Sequence, residues 1–308
     1  MFTLITGGAG YLGGHLINAI KKESPEILVL DNFSSGKISR IPKEIEVVDG
    51  DIRDRRALDK LFSEFNIEKV VHFAALKSVS EGEKVPDLYD EVNVEGTMNL
   101  IEASNKKGID KFIFISSAAV YGDAFSQSGV FDEKITPSPI SIYGQTKLKG
   151  EVIVNNFQWD KQTWVTSLRL FNVAGQLNSN LQDTEMTNLI PIAKNCILNN
   201  STIEVFGNDY ETKDGTGVRD YISVLDVTRT IRNLLVKVES PPAILNVGSG
   251  KGHSVLEVIN AVEQKLKMRA LFSFSPRRKG DIAKIVANNE LLKKFLQIEI
   301  SCDLDNMI

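Results

Sequence analysis

The amino-acid sequence predicts a doubly wound α/β fold, a mainly parallel sheet with helices on both faces, followed by a smaller α/β lobe. Three observations lead there. Short β-rich runs alternate with longer amphipathic stretches through the first half of the 308-residue chain. Those runs are apolar at nearly every position, as strands covered on both faces must be. The first of them feeds directly into a glycine-rich turn, TGGAGYLG, that opens a helix.

Element by element, the expected strands are FTLIT, EILVL, IEVV, KVVHFAA, KFIFIS and WVTSLRLF. Between them fall the helical stretches YLGGHLINAIKK, DRRALDKLFSEFN, DLYDEVNVEGTMNLIEASNKKG and YGQTKLKGEVIVNNF. Beyond residue 172 the alternation loosens. QLNSNLQDTEMTN and GNDYETKDGTGVRD are polar and rich in turn formers, the composition of loops around a site. The shorter elements NLIPIAKNCIL, TIEVF, VLDVTRTIRNLLVKV, AILNV, VLEVINAVEQKLK and NELLKKFL then predict a smaller second lobe, with one or two segments returning to the first.

Composition narrows the function classes. A hydrophobic content of 42%, a charged content of 25% and a net charge of -4 describe a globular protein without a large sequence-independent nucleic-acid surface. Two cysteines, Cys196 and Cys302, are too few for a disulfide framework or a metal cluster, and Cys196 lies in an apolar-periodic run that predicts a buried structural thiol. The N-terminus has no basic targeting region and no apolar run is long enough for a membrane span, so a cytoplasmic location is expected.

Candidate chemistry begins at the first turn. Gly7, Gly10 and Gly13 stand three apart between strand and helix. Such glycines allow a tight turn and let backbone approach a pyrophosphate, while the helix N-terminus offers free N–H groups and partial positive charge. An ordinary turn would look the same in isolation, but here the second strand ends ILVLDN, placing Asp31 where a carboxylate can accept from a ribose 2′-hydroxyl and repel a 2′-phosphate. The expected cofactor is therefore NAD. Further on, SIYGQTK sets Tyr143 and Lys147 four apart on one helical face. A free phenol with pKa about 10 is a poor base at neutral pH; a neighbouring ammonium favours its ionised form. The alternative is a solvent-facing pair with no role. The hydroxyls of SSAAVYG, Ser116 and Ser117, end the strand before it.

TGGAGYLG, VLDN, HFAALKSV, SSAAVYG, YGQTK and LRLFNVAG together resemble the extended short-chain dehydrogenase/reductase family, and GNDYETKDGTGVRDYISV, LNVGSGKGHSVLEV and FSPRRKGD resemble the UDP-glucose 4-epimerases within it. The likeness covers nearly the whole chain. It implies a Rossmann-type NAD-binding domain over residues 1–172, to which segments near 218–248 return, and a nucleotide-sugar-binding lobe over 173–217 and 249–308. Tyr143 would take a proton from a sugar hydroxyl, Ser117 would bond the same oxygen, and Lys147 would hold the nicotinamide ribose. Tyr11 and Leu12 would lie at the pyrophosphate turn, Asp31 and Asn32 at the ribose, and Asp51 and Ile52 at the adenine. Phe73, Ala74, Ala75, Lys77, Ser116 and Phe171 would follow the rest of the cofactor, with Asn93 bracing the site. For Asp51 and Asn93 a turn or capping role is the rival reading. On the substrate side the resemblance places Asn172 at the diphosphate or sugar, Asn188 and Leu189 along the nucleotide cleft and Phe206 by the uracil. Arg219 and Arg278 would neutralise the diphosphate and Asp281 would accept from the ribose; solvated arginines and a core phenylalanine are the plain alternatives. Helices near 87–107 and 142–157 pair in the family's dimer, which implies a homodimer.

The related dehydratases carry an acid–base pair where this chain has Ala118 and Ala119. With nothing to trigger elimination, the hydride can only return, and epimerisation follows if the keto sugar turns over first. The expectation is a reversible UDP-glucose/UDP-galactose 4-epimerase; its rivals are a UDP-N-acetylglucosamine 4-epimerase, a net nucleotide-sugar oxidoreductase, and a non-catalytic NAD-binding module. Four departures from the family pattern stand out: Ala119 replaces a common second hydroxyl, the loop GQLNSNLQDTEMTN is short, the usual final helix is lacking, and Ile285 takes the place of a bulky gate residue.

Overall fold

The computed structural model describes residues 1–308 except 24–25, 238–239 and 279, and the side chain of Lys237. In chain order the first strands are β1 (Phe2–Thr6), β2 (Ile27–Asp31), β3 (Glu46–Asp49), β4 (Ile67–His72), β5 (Lys111–Ser117), β6 (Val130–Phe131) and β7 (Trp164–Leu170). They are followed by β8 (Asn172–Ala174), β9 (Thr202–Phe206), β10 (Val218–Ser223), β11 (Ile244–Val247), β12 (Gly252–Ser254), β13 (Leu271–Ser275) and β14 (Lys284–Ala287). The helices are α1 (Tyr11–Ile20), α2 (Arg55–Glu64), α3 (Val79–Gly82), α4 (Pro86–Asp90), α5 (Gly96–Lys107), α6 (Ile142–Asn156), α7 (Leu189–Leu198), α8 (Val224–Lys237), α9 (Val255–Leu266) and α10 (Glu290–Leu296).

Seven strands lie side by side in the order β11-β7-β5-β4-β1-β2-β3, every pair parallel. The apolar runs read from the sequence now have their reason. Successive residues of one strand enter opposite cores: Ile5 and Val29 pack with Leu16 and Ile17 of α1 and Ile231 and Leu234 of α8, while Leu4 and Leu28 pack with Leu58 and Leu61 of α2 and Leu100 of α5. Each of these side chains, fully buried, contributes about 1.5–3 kcal/mol relative to exposure. Caps fix where the helices start: Asp54 accepts from the N–H groups of Arg56 and Ala57 at α2, Ser141 from Gly144 at α6, and Ser254 with Glu257 forms a reciprocal box at α9.

Strand order reverses between β1 and β4, so the turns after those two strands diverge and leave a crevice at the C-terminal edge of the sheet. The chain crosses out of this sheet at Phe171, immediately after β7, and enters a second one in which β10 pairs with β8, β12 and β14, and β14 with β6. Of the stretch near 218–248, α8 packs against α1 and β11 extends the main sheet, while β10 belongs to the second sheet. The predicted helix there ends at Val238, which lies outside the described residues. Two further expectations shift. KVVHFAA is a strand only to His72, because Phe73–Ala75 leave the sheet for the crevice. The long helix near 87–107 contains a π turn, Glu91–Glu95, between α4 and α5. Cys196 of α7 is half-buried, packed against the cluster that includes Ala193, Ile197 and Ile203 rather than fully enclosed by it, and Cys302 is exposed. Among the described residues no helix is long and apolar enough to cross a membrane.

Candidate active site

The crevice between the two sheets encloses about 1660 Å³. Every residue singled out from the sequence borders it except Asn93.

On the cofactor side, Gly7 has φ +68° and a Cβ there would stand 2.7 Å from the Ala74 nitrogen; a Cβ on Gly13 would stand 2.6 Å from the Gly7 carbonyl. The turn is therefore pressed against the loop after β4 and against its own helix. At Gly10 the nearest contact of a Cβ is the Gly7 carbonyl at 3.1 Å. With Gly10 just ahead of α1, the free N–H groups of that helix face an open cradle that fits a dinucleotide pyrophosphate. Asp31 is 7% exposed at the end of β2 and accepts from Ala9 N–H at 2.9 Å and Phe33 N–H at 2.8 Å, which fixes its carboxylate at the crevice edge. Burial pushes its pKa up against the pull of those two bonds. Asn32 donates to Asp51 at 2.9 Å, and Arg53 grips the same carboxylate at 2.8 and 3.0 Å, holding Asp51 well below the usual carboxylate range. These residues share a polar rim that includes Arg53, which sequence reasoning passed over although GDIRD placed it two residues from Asp51.

At the centre, the Ser117 side chain stands close enough to the Tyr143 phenol to act on its ionisation, and both border the crevice. Burial holds that phenol above its ordinary pKa, and Ser117 draws it partly back. In the protein by itself desolvation dominates; the expected offset came from the Lys147 ammonium together with the nicotinamide ring. Lys147 is 4% exposed, donates to the Ile115 carbonyl at 2.8 Å and lies 5.1 Å over the Phe114 ring. Burial lowers its pKa to about 8, while Glu151, one turn further along α6, opposes that. Ala118 and Ala119 line the crevice beside Ser117, so no carboxylate stands there.

On the far side, β10 gathers the residues expected at the nucleotide. Tyr221 pairs with Asn172 of β8, and Arg219 with Ile285 of β14. Arg219 donates to the Ile282 carbonyl at 2.9 Å and sits 3.5 Å from Asp281. Arg278 lies 3.8 Å over the Phe206 ring, so one face of that ring is covered by a guanidinium. Asn188 precedes α7 and donates to Asp183 at 2.9 Å; Leu189 begins the helix.

Three of the candidate side chains have partners within the protein. Asn93, 2% exposed, accepts from Leu76 N–H at 2.8 Å and donates to the Leu76 carbonyl and Thr146 hydroxyl, each at 3.0 Å; it braces the crevice loop from behind and leaves no free donor for a cofactor. The Ser116 hydroxyl points into the core and donates to Glu151 at 2.5 Å, leaving its backbone to border the crevice. The Tyr11 hydroxyl donates to the Gly175 carbonyl at 2.5 Å, tying α1 to the loop after β8. In the same loop Glu185 reaches across to Lys77 at 2.9 Å, a link between the two sides of the crevice that no local pattern announces.

A model of the NAD dependent epimerase/dehydratase family matches residues 3–248. The UDP-glucose 4-epimerase of Bacillus subtilis (strain 168) is 37% identical over 100% of this chain and 94% of its own length. The crystal structure of UDP-glucose-4-epimerase from Stenotrophomonas maltophila with bound NAD and formylated UDP-arabinopyranose aligns with TM-score 0.91 and 34% identity, over 100% of this chain and 95% of that one. The UDP-Glc/GlcNAc 4-epimerase from Campylobacter jejuni aligns with TM-score 0.83 and 33% identity, over 99% and 96%.

Proposed function

This chain belongs to the NAD dependent epimerase/dehydratase family and is an NAD-dependent nucleotide-sugar 4-epimerase, and from that premise we propose that it interconverts UDP-glucose and UDP-galactose. The observation that carries the reading is the grouping of Ser117, Tyr143 and Lys147 at one place in the crevice, with alanines at 118 and 119. Bound NAD supplies a nicotinamide carbon that accepts hydride from the sugar's C4 and gives it back. Tyr143 takes the proton of the 4-hydroxyl at the first transfer and returns it at the second. Ser117 donates to the same oxygen as it becomes a carbonyl, stabilising the charge that develops there. Lys147, held by the Ile115 carbonyl, has two more protons on its amine for ribose hydroxyls, and its charge favours the ionised phenol. Arg219 and Arg278 grip the diphosphate, so the hexose alone turns over between transfers.

Purified protein incubated with UDP-galactose and no added cofactor tests the reading. UDP-glucose is the expected product; stoichiometric release of NADH, or no conversion, contradicts it.

Ile285 favours a second substrate. It is half-buried at the crevice wall, packed beside Phe131 and Phe171, and leaves more room than a tyrosine would for an N-acetyl group. Turnover of UDP-N-acetylgalactosamine, abolished by Ile285→Tyr, is expected; absence of turnover by the parent protein ends this reading. We also read the chain as a homodimer built on α4, α5 and α6. Leu88 and Val152 remain 36% and 51% exposed on these helices, beside the Lys149–Asp90 ion pair that joins α6 to α4.

A further inference from the structure

We propose that Glu151 is a positioning residue for the epimerase reaction, clamping the strand end that carries Ser117 to the helix that carries Tyr143 and holding Lys147 in its charged form. This rests on the assignment of Tyr143, Ser117 and Lys147 as the reacting group.

Tyr143, Lys147 and Glu151 follow one another at four-residue intervals along one face of α6. The Glu151 and Arg169 side chains are 3% and 2% exposed. Arg169 donates from Nε to Oε1 and Oε2 at 3.0 and 3.2 Å and from Nη2 to Oε2 at 2.7 Å, and the Ser116 hydroxyl donates to Oε1 at 2.5 Å. Ser116 and Arg169 are register partners on β5 and β7, and the next pair along is Ser117 with Leu170. One carboxylate thus joins α6, β5 and β7 directly behind the Ser117–Tyr143 contact.

Stability alone does not account for this arrangement. Apolar side chains of similar shape serve a core as well as a buried ion pair or better. Here, moreover, Arg169 Nη1 is buried without a hydrogen-bond partner. Arg169 is pinned further by the Tyr121 ring, 4.9 Å from its guanidinium, whose hydroxyl donates to Asn246 of β11 at 2.7 Å. The clamp is therefore rigid across three adjacent strands. What it holds still is the distance between a phenol and a serine hydroxyl, and small misplacements of reacting groups cost orders of magnitude in rate.

The ionisable groups around Lys147 leave Glu151 as its counter-charge. On its own helix these are Tyr143 and Glu151. From β4 comes His72, kept neutral between Thr6 and Thr97; from β7 comes Arg169, a like charge that faces Glu151. Asp90 of α4 pairs with exposed Lys149, and Glu81 of α3 meets the Tyr89 hydroxyl. Burial works against the ammonium and Glu151 sustains it.

The test is kcat and KM for UDP-galactose across pH in Glu151→Gln, with Tyr143→Phe as control. Expected is a fall in kcat of at least about tenfold with little change in KM, and a basic limb of the kcat profile moved down by about one pH unit. A merely structural role moves neither the limb nor the kcat-to-KM split. If Glu151→Gln does not fold, the double variant Glu151→Gln, Arg169→Gln, which leaves no unpaired charge, is expected to show the fall in kcat without the shift of the limb, because a like charge of Lys147 is lost with its counter-charge. Ser116→Ala, which keeps the charge and removes one strand of the clamp, is expected to lower kcat without moving the limb. A folded Glu151→Gln with parental kcat and limb overturns the proposal, as does a folded double variant or a Ser116→Ala with parental kcat. Tyr143→Phe separates the two levels: if it too turns over normally, the assignment of the reacting group fails, and if it is dead, the inference about Glu151 alone fails.

Discussion

Tyr143 presents the sharpest residue-scale problem, a base whose surroundings raise its pKa. The neighbouring Ser117 draws it partly back against burial. Tyr143→Phe removes the proton acceptor and nothing else, and kcat is expected to fall by about 10²–10⁴ with bound NAD unchanged; near-parental turnover contradicts the role. His72 illustrates the opposite case, a group kept neutral. Burial lowers its pKa from 6.5 to about 3. A histidine with a depressed folded pKa adds stability above its unfolded value, and that contribution is lost as pH falls from 6.5 toward about 3, because the unfolded chain takes up the proton first. His72→Gln is therefore expected to flatten the acid side of the stability profile measured by urea unfolding; an unchanged slope across that interval refutes it. That Tyr143, Lys147, Ser117 and Asp31 would share one crevice was legible, because they stand at the helical spacing and strand ends that the proposed chemistry needs. The bracing role expected of Asn93 matches its bonds to Leu76 and Thr146, whereas the inward turn of the Ser116 hydroxyl was not legible, since spacing does not tell which way a side chain points.

At the scale of elements, the glycine turn and the loop after β4 form one unit. Gly7→Ala sets a Cβ 2.7 Å from the Ala74 nitrogen at a φ of +68°, so the turn must move away from Phe73 and Ala74. A cost of about 1–3 kcal/mol in stability is expected from the backbone conformation alone, with loss of co-purifying NAD measured by absorbance. Full NAD content in the variant contradicts the cradle. The same scale explains what the sequence concealed. Apolar runs such as FTLIT and KFIFIS announced the main sheet because both faces are covered. β6, β8 and β12 have two or three residues each and acquire strand geometry only from their partners in the second sheet, so no period was there to read. The π turn at Glu91–Glu95 was equally silent, although it carries the Asn93 that fastens Leu76 to Thr146.

For the molecule as a whole, the chain passes from the main sheet to the second one between β7 and β8, and the crevice lies between the two sheets. One face of the crevice follows β1, β2 and β4, the other β10 and β14, and the Lys77–Glu185 pair crosses from one to the other. Assembly belongs to this scale. Light scattering is expected to give twice the 34.1 kDa chain mass, and Val152→Glu to reduce it to one; a parent protein of single-chain mass contradicts the dimer. The account as a whole depends on hydrogen leaving and regaining the same sugar carbon without reaching solvent, and substrate carrying tritium at C4 of UDP-galactose measures that directly. Retention of the label at C4 in the UDP-glucose formed is predicted. Label released into water during conversion would contradict the account.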